Sequence, residues 1–174
     1  MKIPVVMQFD SSDCGVACAS SICYHYGKEI SISRLRDMMG TDAYGTSVNG
    51  LVSGLKSIGF EVHAVKAPKE SIGDGDFTMP AIARIITNDG MAHYVVIYSV
   101  SKGKVMLMDP EQNHPVKCTV DEFLCRFDGA LILMIPTDAF YSIPSDRHAG
   151  ALRYSRMIRP HLKLFIIAVH SVQK

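Results

Sequence analysis

Several features that would direct a functional reading are missing from this chain of 174 residues. The glycines of GTSVNGLVSG are not followed by a Lys-Ser/Thr pair, so there is no phosphate-cradling loop. Cys14, Cys18, Cys23 and His25 are near neighbours but match neither a paired Cys-x-x-Cys nor a Cys-Cys…His-His spacing, and no metal is expected. The net charge is only +1, so nothing global suggests nucleic acid as a partner. Residues 1–10 lack the charged, apolar and small-residue succession of a signal peptide. The five cysteines are an odd set, so a reduced, cytoplasmic setting is expected and a disulfide framework is not. No internal repeat occurs, and no apolar run approaches the roughly 20 residues that span a membrane.

What is present is ordinary globular material, 48% apolar and 20% charged, long enough for one domain with a real core. The spacing predicts a helix from Asp13 to Tyr26, with Ser11, Ser12 or Asp13 as N-cap and Gly27 as the stop. Cys14, Cys18 and Ile22 would then line one inward stripe. Ser31–Met39 and Thr46–Ile58 read as further helices, the latter with Val48, Leu51, Val52 and Leu55 on one side. Strands are expected at Phe60–Lys66, Pro80–Thr87, Ala92–Val100, Lys104–Asp109, Val116–Cys118 and Ala130–Ile135, with a helix or turn at Thr119–Arg126. Helices first and strands afterwards is an α+β order.

Residues 1–136 are expected to form the domain and 137–150 a linker. Residues 151–174 carry a basic amphipathic segment that runs into LFIIAV, a short apolar stretch. Arg147, Arg153, Arg156, Arg159 and Lys163 are interrupted by no acid, as at the cytoplasmic flank of a membrane helix. The expectation is a chain cut at the start of a membrane domain; a short interfacial helix is the alternative.

Three separated residues form a chemical set. Cys14 opens the first helix, where the positive end of the helix dipole and unpaired N–H groups favour a thiolate. His93 lies in the strand AHYVVIYSV, and Asp109 ends KVMLMDP. A thiol needs a base to remove its proton, and the base needs an orienting carboxylate. If the connection between the two strands is the three-residue loop Ser101–Gly103, Asp109 faces Val95 and is a diagonal neighbour of His93 on the same face, about 7–8 Å away by backbone. An unbulged two-residue turn at Lys102–Gly103 would put the two on opposite faces. Gln8 is a fourth candidate, able to aim an amide at a developing oxyanion beside the Cys14 backbone N–H. Taken singly, His93 reads equally well as a core histidine, Asp109 as a turn residue and Gln8 as nothing in particular. Cys18, Cys23, Cys118 and Cys125 read as structural thiols in apolar stretches.

Together, Gln8, DCGVAC at Asp13–Cys18 with Tyr26–Gly27, HYVVI at His93–Ile97, and Asp109–Pro110 resemble the double-glycine leader peptidases. These are papain-like cysteine peptidase domains at the N-terminus of bacteriocin-processing ABC transporters. The resemblance implies a papain-like α+β fold, with N-terminal helices packed on an antiparallel sheet. It implies Cys14 as nucleophile, His93 as general base and acid, Asp109 as the residue fixing the imidazole, and Gln8 as oxyanion donor. The implied substrate is a precursor peptide with an amphipathic helical leader ending in Gly-Gly or Gly-Ala, cut after that pair. A narrow channel would admit only small residues there, with Tyr94 a weak candidate for its wall. The domain would sit at the cytoplasmic face of a bacterial membrane, joined to membrane and ATP-binding domains of a dimeric transporter. It needs no cofactor of its own, ATP and Mg belonging to the nucleotide-binding domain.

Two other readings compete. A degenerate domain of this kind binds cargo without cutting it, but such domains lack the cysteine that stands here at Cys14. A papain-like acyl transferase or deamidase could use the same triad on another substrate.

Overall fold

The computed structural model describes residues 3–146. Residues 151–174, read above as a basic amphipathic segment, lie outside that range. The elements belong to one compact unit, Met1–Ile143. Its helices are α1 (Cys14–His25), α2 (Ile32–Met39), α3 (Val48–Ser57), α4 (Lys69–Asp74), α5 (Val120–Arg126) and α6 (Asp138–Ser142). Its strands are β1 (Phe60–Lys66), β2 (Ala81–Ile86), β3 (Ala92–Ser101), β4 (Lys104–Met108), β5 (Val116–Thr119) and β6 (Phe127–Pro136). All six strands pair antiparallel in the order β1-β6-β2-β3-β4-β5. The expected α+β order, N-terminal helices packed on an antiparallel sheet, holds.

Strand alternation splits the apolar side chains between two cores. Tyr94, Val96 and Tyr98 of β3 join Phe60, Ile132 and the side chains of α1 to α3. Val95 and Ile97 of the same strand turn the other way and join Ile72 of α4 and Phe123 of α5. The sheet is therefore covered on both faces, whereas the sequence reading placed helices on one. Helix α1 is not the striped helix expected either. Every residue from Cys14 to Cys23 is buried, as in a helix enclosed by its neighbours. Its buried hydroxyls are satisfied: Ser20 Oγ donates to Ile30 O at 3.0 Å, and Ser21 Oγ donates to Pro4 O at 2.6 Å.

Local chemistry sets several ends. Ser47 caps α3 by accepting from Gly50 N at 3.0 Å. Thr119 and Glu122 form a reciprocal capping box at α5. The stretch after residue 136, read as linker, begins instead with α6, whose Phe140 is fully buried. The Phe140 ring lies 4.5 Å from that of Phe60 and 6.4 Å from that of Tyr26. Gly59 makes this possible: its φ is +86°, and a β-carbon there would collide with the backbone of Phe140. Helix α4 also had no counterpart in the sequence reading.

Phe140→Ala should lower unfolding stability by about 3–5 kcal/mol, the usual cost of emptying a large aromatic site. Ending the chain at residue 136 should lower it further. Urea unfolding measures both, and an unchanged midpoint would show that α6 is not part of the domain.

Candidate active site

The first residue of α1 is Cys14, only 5% exposed. The other two cysteines of this helix are chemically quiet. Burial pushes Cys23 up to about 12 and drives Cys18 well above its ordinary value, so both remain thiols. Cys18 Sγ donates to Tyr94 O at 3.3 Å, which ties α1 to β3. Of the cysteines read as structural thiols in apolar stretches, Cys118 is half-buried and Cys125 is exposed, a departure from that reading.

The loop between β3 and β4 corrects the sequence reading and preserves its consequence. Ser101 pairs with Lys104, so the turn has two residues, Lys102 at φ 52° and Gly103 at φ 69°. Both are left-handed, as the favoured hairpin turns require, and lysine adopts this only at a cost. The three-residue loop was the wrong choice. The extra residue stands further along β3: Ile97 faces Leu107 but Ser99 faces Met106, leaving Tyr98 in a bulge. Past the bulge Val96 faces Met108, and continuing one place sets Asp109 across from Val95. That is the register the longer loop would have given, so His93 and Asp109 share a face.

They meet directly. His93 Nε2 and Asp109 Oδ1 are 2.8 Å apart, and His93 is 4% exposed. Asp109 Oδ1 also accepts the Glu111 N–H at 3.1 Å, and the Gln112 N–H donates to Asp109 O at 2.9 Å, so a turn fixes the carboxylate. Burial alone would lower the His93 pKa. The hydrogen bond to Asp109 and one to the Cys14 side chain outweigh it and push His93 up to about 9. Burial alone would raise Asp109, but the hydrogen bonds from His93 and the Glu111 N–H, helped by the charge of Arg126, hold it below its ordinary value. Since Nε2 is engaged by Asp109, Nδ1 is the nitrogen left for the sulfur.

Gln8 is brought to the same place by its backbone. Its N–H donates to Pro110 O at 3.0 Å, anchoring the N-terminal arm beside the Asp109 turn. Its side-chain Oε1 is buried without a hydrogen-bond partner. Tyr94 packs in the core beside α1, within reach of the position a β-carbon on Gly15 would occupy. His93, Asp109 and Glu111 could each offer one atom within 4.8 Å of the others, as a cation would need. The His93–Asp109 hydrogen bond already joins two of the three, and Glu111 is exposed.

One pair escaped the sequence reading. Asp13 is 0% exposed, and Arg36 Nη1 of α2 stands 3.3 Å from its Oδ1. Asp13 figures there as a possible cap and as the first residue of DCGVAC, and nothing in the chain near it points to Arg36.

Because the raised His93 value comes from two partners, each should be separable. In a histidine NMR titration His93 should lose its proton near pH 9, and Asp109→Asn or Cys14→Ala should each move that midpoint downward. The stability that the charged ring contributes is full below its ordinary value of 6.5 and fades as pH rises through about 9. A midpoint indifferent to both substitutions would break the proposed contacts.

Comparison with known proteins agrees with this geometry. Residues 2–139 match the Peptidase C39 family. The chain is 39% identical over 132 residues to the lactococcin-G-processing and transport ATP-binding protein LagD of Lactococcus lactis subsp. lactis, covering 76% of this chain and 19% of that protein. It is 28% identical over 142 residues to the pediocin PA-1 transport/processing ATP-binding protein PedD of Pediococcus acidilactici, covering 81% of this chain and 20% of that one. The chain thus spans about a fifth of the length of these curated relatives. The peptidase domain of Streptococcus ComA, a bi-functional ABC transporter of a quorum-sensing pathway, superposes with a TM-score of 0.73 at 30% identity over 78% of this chain and 100% of that one. A double glycine motif protease from an AMS/PCAT transporter, solved with its leader peptide, shares the fold at 24% identity and a TM-score of 0.70, over 78% and 93% of the two chains. With a match across most of its length, this chain belongs to the Peptidase C39 family of cysteine peptidases.

Proposed function

We propose that this domain removes the leader of a precursor peptide after a Gly-Gly or Gly-Ala pair, using Cys14, His93 and Asp109, and hands the remaining peptide to an attached ABC transporter. The observation that carries the reading is the part-buried His93–Asp109 hydrogen bond, with Cys14 as the second side-chain partner of the same ring. The relatives named above are processing and transport proteins, and one related structure was solved with a leader peptide. A groove of about 1270 Å³ supports the substrate class. Its wall includes Ile3, Val5, Val6, Phe9, Tyr24 and Ile32, an apolar surface suited to one face of an amphipathic helix. Met7 and Phe9, which line it, flank Gln8 in the chain, so the leader would lie beside the oxyanion donor.

The reaction follows from the protons. With the Cys14 proton on His93, the sulfur attacks the carbonyl carbon of the second small residue. A C–S bond forms, and the oxyanion is received by Gln8 and the Cys14 N–H. As the intermediate collapses, the C–N bond breaks and His93 gives its proton to the leaving amine. The neutral ring then takes a proton from water, which attacks the thioester and releases the leader acid and the thiol. Asp109 holds the ring throughout and stabilises its charged form. Among the described residues no helix is long and apolar enough to cross a membrane. Membrane attachment, at the cytoplasmic face, is assigned to the rest of the polypeptide, along with ATP and Mg binding.

Incubation with a double-glycine precursor, read by mass spectrometry, tests the assignment. Wild type should release leader and core, and Cys14→Ala should release neither. Gln8→Ala should lower kcat by about 10²–10³, as loss of one oxyanion donor does. An uncut precursor beside an alkylatable Cys14 would redirect the assignment to acyl transfer.

A further inference from the structure

The N-terminus of α1 departs from the other helix starts of this chain. Ser31, Ser47 and Thr119 precede their helices in extended backbone, with ψ between 146° and 159°. From there Ser47 and Thr119 reach over the helix end and accept from its N–H groups. Asp13 occupies the same position at α1 but has φ −90° and ψ −1°, and its side chain makes no cap hydrogen bond. A carboxylate at that position ordinarily folds onto the first N–H groups. Here both of its oxygens are buried without a hydrogen-bond partner.

The reason lies on α2. Arg36 Nη1 holds Asp13 Oδ1 at 3.3 Å as an ion pair, off the line of a hydrogen bond, and reaches Asp10 Oδ2 at 3.5 Å. Asp10 in turn accepts from Ser12 N at 2.9 Å and from Ser12 Oγ, so the segment before Cys14 is gathered against α2. A buried carboxylate is tolerated only with a counter-charge at hand, and the guanidinium supplies it.

We propose that Arg36 is a positioning residue that draws the Asp13 carboxylate away from the start of α1 and so keeps its negative charge off the helix end where the Cys14 N–H receives the oxyanion. Released from Arg36, that carboxylate would swing to the helix end, the place where negative charge develops during acyl transfer. As an N-cap side chain it would accept from the Gly15 or Val16 N–H and set its charge against the oxyanion forming beside the Cys14 N–H. Asp13 and Arg36 do not touch substrate in this account; they act through the peptide unit that joins Asp13 to Cys14. The inference rests on the peptidase reading.

The test is suppression. Arg36→Met should lower kcat on a double-glycine precursor by about 10²-fold, the scale of one lost oxyanion donor, with KM changed by no more than about twofold. Removing the freed carboxylate as well, in Arg36→Met/Asp13→Ala, should restore kcat at least about tenfold over the single variant. Two independent structural injuries would make the double variant slower instead, and that result overturns the proposal. So does an Arg36→Met enzyme as fast as wild type. Should Arg36→Met fail to fold, Arg36→Gln decides. Glutamine keeps a polar side chain without the charge, so kcat should fall at least about tenfold at unchanged KM, and full activity would overturn the proposal. A wild-type protein whose Cys14 can be alkylated in a separate sample, yet which cleaves no precursor before alkylation, defeats the peptidase reading itself, and this inference with it.

Discussion

An imidazole nearly sealed from water keeps a proton only where a negative or strongly accepting group lies within hydrogen-bonding distance. His93 is such a ring, and the 2.8 Å contact with Asp109 is the condition on which the site depends. The contact makes demands on the sheet well away from it. The two residues stand on adjoining strands, and a slip of one place would send one of them to the opposite face. The bulge at Tyr98 supplies the extra residue that the two-residue turn withholds. Tyr98 also bonds Ser21 of α1 through its hydroxyl at 2.7 Å, so the residue that corrects the register fastens the sheet to the helix bearing the nucleophile.

Helix α1 is the second support. Buried from Cys14 to Cys23, it begins at Cys14 and is tied to β3 by the Cys18–Tyr94 hydrogen bond. Ser21, two turns down, holds the N-terminal arm through Pro4 O, while the far end of the arm is held by the Gln8–Pro110 bond. Sulfur, imidazole, carboxylate and amide thus come from four separated stretches of chain, each fixed by a backbone or buried hydrogen bond. Such sites keep their geometry because the surrounding groups are already satisfied.

Much of this was legible in the sequence for definite reasons. Strand β1 was read to the residue because Phe60–Lys66 alternates, and β2 to β4 were read to within a residue or so because β-branched runs are bounded by turns. Cys14, His93 and Asp109 could be picked out because each stands near the end of an element, where a side chain can leave the core. The bulge could not, since nothing in Ile97–Ser99 marks the residue that will be skipped. Helix α4 has six residues, too few for a period to show, and α6 is held mainly by tertiary burial of Phe140. The capping signal Thr119-Val-Asp-Glu122 was in plain view, yet the segment was left as helix or turn. Arg36 was invisible because its partnership with Asp13 exists only after α2 packs beside α1.

Two carboxylates belong to the site, Asp13 fully buried and Asp109 partly so, and their partners give them different work. Asp109 faces an imidazole, which gains and loses a proton within the range where enzymes operate, so the charge of that pair follows the reaction. Asp13 faces a guanidinium, a group that holds its charge throughout that range, so this pair cannot take part in proton movement. Exchange the two partners and the site would fail at both ends. A fixed cation beside the sulfur would stabilise the thiolate but could not protonate the leaving amine. A titratable ring on Asp13 would release its carboxylate whenever it lost its proton, at the moment the helix end is needed for the oxyanion. Placing the mobile proton on one side of Cys14 and the fixed charge on the other lets a single helix terminus serve both nucleophile and oxyanion.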